Sequence, residues 1–230
     1  MKRQDLLFGA GVVALFAPFF LFPTLFRWYE EASGSHPYLM ALFKFSVLAT
    51  GGESLGLRLR KGKYIEEGFG FFPRAVVWGI LGVIIAAAMK LYSAGAPRLM
   101  EGLGFSGTVA AMSGGFSWLK LLGAVSISVS MNVTFAPVFM TCHKITDAHI
   151  LQNGGTLKAF ATPIRFGQLL SELNWRVQWD FVFKKTIPLF WVPAHTVTFL
   201  LPSEWQVLFA ALLGVVLGVL LSVSALRQRT

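Results

Sequence analysis

Apolar runs about one bilayer deep alternate with short polar segments along this chain. The first, Leu6–Phe26, would form a helix about 31 Å long, enough to cross the hydrocarbon. Further runs are Tyr38–Leu57, Arg74–Leu91, Leu119–Cys142, Phe183–Leu201 and Trp205–Leu226. Lys44 and Glu53 interrupt the second, and Ser126, Ser128, Ser130 and Asn132 the fourth. The Ser-Ile-Ser-Val-Ser alternation resembles a strand, but a lone strand cannot satisfy its backbone in lipid, so a helix is expected. The pattern therefore predicts an all-α, polytopic transmembrane bundle of about six membrane helices, one domain over residues 1–230. Segment 157–180 mixes Leu157, Phe160, Leu169 and Trp175 with Lys158, Arg165, Glu172 and Arg176, which predicts one interfacial amphipathic helix. Five glycines between 102 and 115 predict a flexible or tightly folded outer loop over 95–117.

Composition strengthens the membrane reading. Hydrophobic residues make up 55% and charged residues 13%, too few charges to cover a soluble domain of this size. The net charge of +9 does not point to nucleic acid, because no compact basic domain stands outside the apolar runs. It follows instead from the rule that Lys and Arg collect in cytoplasmic loops. Six spans with the amino end inside place fifteen of the 20 Lys and Arg in inner segments or at inner helix ends. Arg27, Lys44, Lys90, Arg98 and Lys120 remain outside or in outer halves of spans. Lys2 and Arg3 before the first run mimic a signal peptide. Arg27-Trp28-Tyr29 follows the run where a small-residue cleavage site would stand, so an uncleaved anchor is expected. No Arg- and Ser-rich presequence opens the chain, which favours a bacterial cytoplasmic membrane, with an organelle inner membrane as the alternative. Trp28, Trp118, Trp175, Trp179 and Trp205 fall near predicted boundaries, as interfacial tryptophans do. The single Cys142 excludes an internal disulfide.

From residue 28 onward, short motifs occur in a telling order. Trp28-Tyr29 and His36-Pro37 precede the second run, and Gly51-Gly52-Glu53 lies within it. Phe135-Ala136-Pro137, Trp191-Val192-Pro193, Leu201-Pro202, Gln206-Val207-Leu208 and Leu220-Leu221-Ser222 follow. In this order the chain resembles the family of the 22-kilodalton peroxisomal membrane protein and its Mpv-type relatives. Met131 stands where that family places an acidic residue, Gln206 where it has Arg, and residues 1–27 form an additional anchor helix. The resemblance implies a helical bundle over 28–230 and a non-enzymatic membrane protein proposed to pass small solutes.

Several constellations could carry such a function. Ser46, Thr50, Glu53 and Ser54 form one stripe of the second membrane helix. A carboxylate at mid-bilayer costs about 2.5–3.5 kcal/mol on insertion scales, so Glu53 either lines a cavity or reaches the inner interface near Arg58. Lys44 lies half a turn away in angle and is expected to snorkel outward. Ser126, Ser130 and Asn132 either bond within the bundle or face solute, and Pro137 should bend their helix. His195 and Thr198 share a face with Trp191 between Pro188, Pro193 and Pro202, a spacing that favours a kinked or broken helix. Cys142, His143, Asp147 and His149 raise a metal reading, but no paired ligand motif accompanies them, so no metal is expected. Ala210, Gly214, Gly218 and Ser222 repeat every fourth residue and predict a close helix contact.

No nucleophile elbow, phosphate loop or dinucleotide fingerprint is present, so neither enzyme activity nor a cofactor is expected. The expected function is channel- or transporter-like passage of small solutes or ions. The alternative is a non-conducting accessory or scaffold subunit of a membrane complex. Expected partners are the lipid bilayer, a small solute or ion, and a second copy in a homo-oligomer. The charge bias predicts both termini on the cytoplasmic side. An impermeant thiol reagent applied to intact cells should leave Thr230→Cys unlabelled in a Cys142→Ser background; labelling from outside would overturn the topology.

Overall fold

The computed structural model describes residues 3–227, with side chains described as far as 220. Both extreme termini and the Ser222 side chain lie outside the described residues. The described chain is helical throughout, and among its residues no strand occurs. Helices α1 (Arg3–Leu21), α2 (Pro23–Ser35), α3 (Pro37–Lys61) and α4 (Phe71–Gly102) fill the amino-terminal half. Then come α5 (Thr108–Ala111), α6 (Trp118–Thr134), α7 (Ala136–Gln152), α8 (Lys158–Ala161), α9 (Phe166–Glu172) and α10 (Trp175–Val177). A π-helical stretch, Gln178–Trp191, leads into α11 (Val192–Leu200) and α12 (Ser203–Arg227).

Among the described residues, three helices are long and apolar enough to cross a membrane: Arg3–Leu21, Phe71–Gly102 and Ser203–Leu220. The pair α6 and α7, bent by 47° at Phe135, makes up to four. The other two predicted spans fall short of that test. In α3 the charges of Lys44, Glu53, Arg58, Arg60 and Lys61 dilute the apolar run. The fifth run is divided between the π-helical stretch and the nine residues of α11.

Proline sets these breaks. Pro137 enters α7 at its first turn, where the missing N–H costs nothing, so one helix ends and another begins there. Pro188 lies inside the π-helical stretch, Pro193 opens α11 and Pro202 follows its end. The predicted interfacial helix over 157–180 is instead three short helices. Pro163 holds Thr162 extended (φ −102°, ψ 127°), and Leu173 is extended before Asn174 caps α10 through Val177 N. In the predicted outer loop, α4 runs on to Gly102, and Gly104 and Gly107 turn the chain with positive φ.

Helix α3 is the axis of the bundle, packing along both α4 and α12. Glycine permits the approach. A Cβ at Gly82 would lie 2.5 Å from Phe45 Cβ, and one at Gly79 would lie 2.8 Å from Ser46 Oγ. The buried core gathers Phe45, Ala88, Met89, Ala124, Ile127, Met131, Phe199 and Ala211 from α3, α4, α6, α11 and α12. Helix α1 buries none of its residues and is held at its ends. Arg58 donates to both Asp5 oxygens (2.7 and 2.9 Å), Phe8 stacks on Tyr64 at 4.7 Å, and Phe19 meets Tyr29 edge-on at 5.4 Å. Tyr64 donates to Asp5 Oδ1 (3.2 Å); desolvation and that contact raise its pKa and keep it a donor.

The small-residue row on α12 meets α3, but the tight point lies elsewhere. Ala210 is buried, Gly214 has open space beside it, and Gly218 makes only ordinary contact with Gly52 O at 3.7 Å. A Cβ at Gly52 would lie 3.1 Å from Val215 Cα, backbone that cannot step aside. Gly52→Leu should therefore lower stability in detergent by about 1–3 kcal/mol. Gly51→Leu, with nothing within 4 Å of its Cβ, should melt close to the parent. Equal melting of the two variants would refute a close α3–α12 contact at Gly52.

Candidate functional site

Three helices bring four ionisable side chains to one end of the bundle. Glu53 projects from α3, Arg74 from the first turn of α4, and His143 and Asp147 from successive turns of α7. Arg74 Nη1 donates to Glu53 Oε2 at 2.6 Å and to Asp147 Oδ1, while its Nε donates to Phe69 O at 2.6 Å. The guanidinium also lies over the Phe69 ring at 4.9 Å. His143 Nε2 is 3.3 Å from Glu53 Oε1, and its ring packs against Trp78 at 4.3 Å. The side chains of Arg74, Glu53 and Asp147 are only 12%, 22% and 18% exposed, so their mutual pairing replaces most of their water.

These groups line a cavity of about 510 Å³ between the helices. Its wall runs from Arg60, Lys61 and the 66–69 turn past Trp78, Phe139 and Phe181 to Asn132, Trp191 and His195. Asn132 Nδ2 donates to His195 Nδ1 at 3.0 Å and to Ser128 O at 2.9 Å. Trp191 stacks on His195 at 5.1 Å, and Ser128 Oγ donates to Val192 O at 2.7 Å across the helix boundary. The Gln178, Trp78 and Trp191 side-chain N–H groups lack a hydrogen-bond acceptor.

A second cavity of about 800 Å³ lies further along the same helices. The division is orderly. On α3, residues from Phe45 onward line the first cavity, and Pro37, Tyr38 and Lys44 the second. On α4 the boundary falls between Ile85 and Ala86, and on α12 between Val207 and Ala210. The apolar core supplies wall to both: Phe45, Ala49, Met131, Ala210 and Ala211 to the first, Met89 and Phe199 to the second.

The structure sorts the residues singled out from the sequence. Glu53, Asn132 and His195 reach the first cavity. Ser46 bonds to Ala75 O, Ser54 donates to Tyr64 O at 2.6 Å, and Thr50 is wholly buried, so the rest of that stripe is built into helix packing. Ser126 and Thr198 donate to Gly123 O and Ala194 O of their own helices. Ser130, half-buried, is not among the cavity's lining residues. Gly214 and Gly218 line the cavity beside Ala210. Lys44 does not snorkel to open surface: it is 8% exposed, its Nζ donating to Ser33 Oγ at 2.9 Å and lying 4.6 Å from the Tyr29 ring centre.

Of the four residues that raised a metal reading, His143 and Asp147 come together with Glu53, their ligand atoms within 4.8 Å of one another. Arg74 already bonds both carboxylates and serves as the cation there. His149 turns away and donates to Ala159 O at 2.9 Å. Arg74 was legible in the sequence only as a charge at a helix end; that it reaches back to α3 depends on how the helices pack.

No protein-family profile, curated protein or solved structure matches the chain.

Removing the shared cation leaves two carboxylates, 22% and 18% exposed, facing each other. Arg74→Gln should cost about 3 kcal/mol of stability in detergent, and Arg74→Gln with Glu53→Gln should recover a large part of it. A double variant no more stable than the single would show that the pairing does not hold these helices together.

Proposed function

We propose that this chain is a small integral membrane protein through which small solutes pass. In this reading α3, and the π-helical stretch with α11, cross the membrane beside the helices that meet the length and hydropathy test. That makes six spans with both termini on the cytoplasmic side, consistent with the fifteen inner Lys and Arg. The observation that carries the reading is the 510 Å³ cavity inside an apolar bundle, bearing Glu53 and Arg74 on α3 and α4 and the Asn132–His195 pair further in. Irregular backbone at membrane depth is tolerated where it lines such a space, and the Phe135 bend and the π-helical stretch both do so. The resemblance to the Mpv-type family supports the same reading.

Phe45 and Met131 wall the first cavity, Met89 and Phe199 the second, and with Ile127 they pack into one apolar layer. Passage would require that apolar layer to part. The rival is a scaffold subunit, favoured by how many polar groups are consumed by packing: Ser46, Ser54, Ser126 and Thr198 all bond backbone carbonyls.

Flux of small neutral and charged solutes from liposomes separates the two. The parent should exceed empty liposomes, and Phe199→Ala, which opens the apolar layer, should raise flux severalfold. Glu53→Gln should alter charge preference, since it leaves Arg74 with one carboxylate. Background flux for both parent and Phe199→Ala, each confirmed folded, would favour the scaffold reading.

A further inference from the structure

Five cations defy the inner bias of this chain, and three of them line one cavity. Lys44 of α3, Lys90 of α4 and Lys120 of α6 all line the second cavity, with Glu204 as the one carboxylate among its lining residues. Among the described residues, no carboxylate lies at ion-pair distance from any of the three ammonium groups. Their partners are neutral. Lys44 Nζ has Ser33 Oγ and the Tyr29 ring, Lys90 Nζ lies 5.8 Å from the Tyr38 ring centre, and Lys120 Nζ donates to Gly114 O at 2.7 Å. Hydroxyls of Ser33, Tyr38, Ser93, Ser113 and Ser203 stand around the same space.

Lys44 makes the arrangement informative. An ammonium buried to 8% exposure in an apolar bundle carries a large desolvation cost, and a hydroxyl and a ring face offset only part of it. The pattern contrasts with the opposite end, where Arg74 has two carboxylates and Lys61 has Glu66. Three ammonium groups against one carboxylate leave a local charge of +2. A low-dielectric wall concentrates that field on whatever enters.

We infer that the second cavity is a binding site for a small oxyanion of charge about −2, carrying phosphate or paired carboxylates. Such a group accepts from lysine ammonium and serine hydroxyl donors together, and those are the donors present. The inference goes beyond passage of solutes. Binding is an equilibrium property, measurable in a protein that conducts nothing, and conduction without anion binding would leave the proposed function standing.

Titration calorimetry on the full chain in a non-ionic detergent tests it, with succinate and inorganic phosphate as ligands. Both should bind, acetate at least tenfold more weakly, and the affinity should fall as salt rises. Lys90 is exposed and Lys120 half-buried, so Lys90→Gln and Lys120→Gln should fold normally, yet each should weaken succinate severalfold and the pair at least tenfold. Glu204→Gln, which removes the opposing charge, should tighten succinate, an effect no loss of structure would produce. Repeating the succinate titration in nanodiscs separates the sources of the anion. Loss of binding with phosphatidic acid but not with phosphatidylcholine would assign the site to a lipid phosphate monoester. Retention in both would assign it to a soluble dianion. Absence of succinate and phosphate binding, or equal binding by parent and the Lys90→Gln/Lys120→Gln pair, would overturn the inference.

Discussion

One guanidinium organises the described bundle. Arg74 stands at the start of α4 and bonds carboxylates from α3 and α7 at once, so the neighbouring α3 and α4 share a single cation with the distant α7. Each of those charges would be costly alone among apolar helices. Together they satisfy one another, and Trp78 and Phe69 shield them. The arrangement fixes α7 against α3 and α4 at one end of the first cavity. Beyond it the bent α6–α7 pair and the π-helical stretch part from the axis, and the cavity occupies the space between them.

At the core the opposite constraint rules. Gly52, Gly79 and Gly82 remove side chains where α3 meets its neighbours, so α4 and α12 close on α3 to backbone distance. Tight packing along α3 and the proline-set breaks in α6–α7 and the fifth run are complementary. The first gives a rigid axis, and the second gives an interior that is not filled. Breaks of the π-helical and proline kind recur where helices serve function rather than support, and here they border both the cavity and the Asn132–His195 pair.

Helix content, the bend at Pro137 and the broken fifth run were legible in the sequence, because proline and apolar periodicity act locally. Glu53, Asn132 and His195 stand out in the sequence as polar groups within apolar runs, but what each faces was left open there. What could not be read was partnership. The stripe of Ser46, Thr50 and Ser54 has the same helical spacing whether its hydroxyls meet solute or a neighbouring carbonyl, and the fold decides for carbonyls at Ser46 and Ser54. Gly214 and Gly52 are equally small, yet only the rotation of α12 against α3 makes Gly52 the close contact. The interfacial segment was misjudged for a local reason: its amphipathic pattern outweighed Pro163 and Asn174, each of which interrupts helical backbone.

Two cavities of different chemistry, set end to end and parted by an apolar layer, give the molecule a direction. One is walled by aromatic residues and carries a balanced charge cluster; the other is lined by lysines facing a single carboxylate. If solutes pass as proposed, the first cavity holds water and opens to one side of the membrane only. Gly214 lines it with open space at its Cβ position, and Cys142 is the chain's one thiol. Gly214→Cys in a Cys142→Ser background should react with an impermeant charged thiol reagent added on one face of sealed vesicles and not on the other. Absence of reaction from either face, or equal reaction from both, would contradict the account.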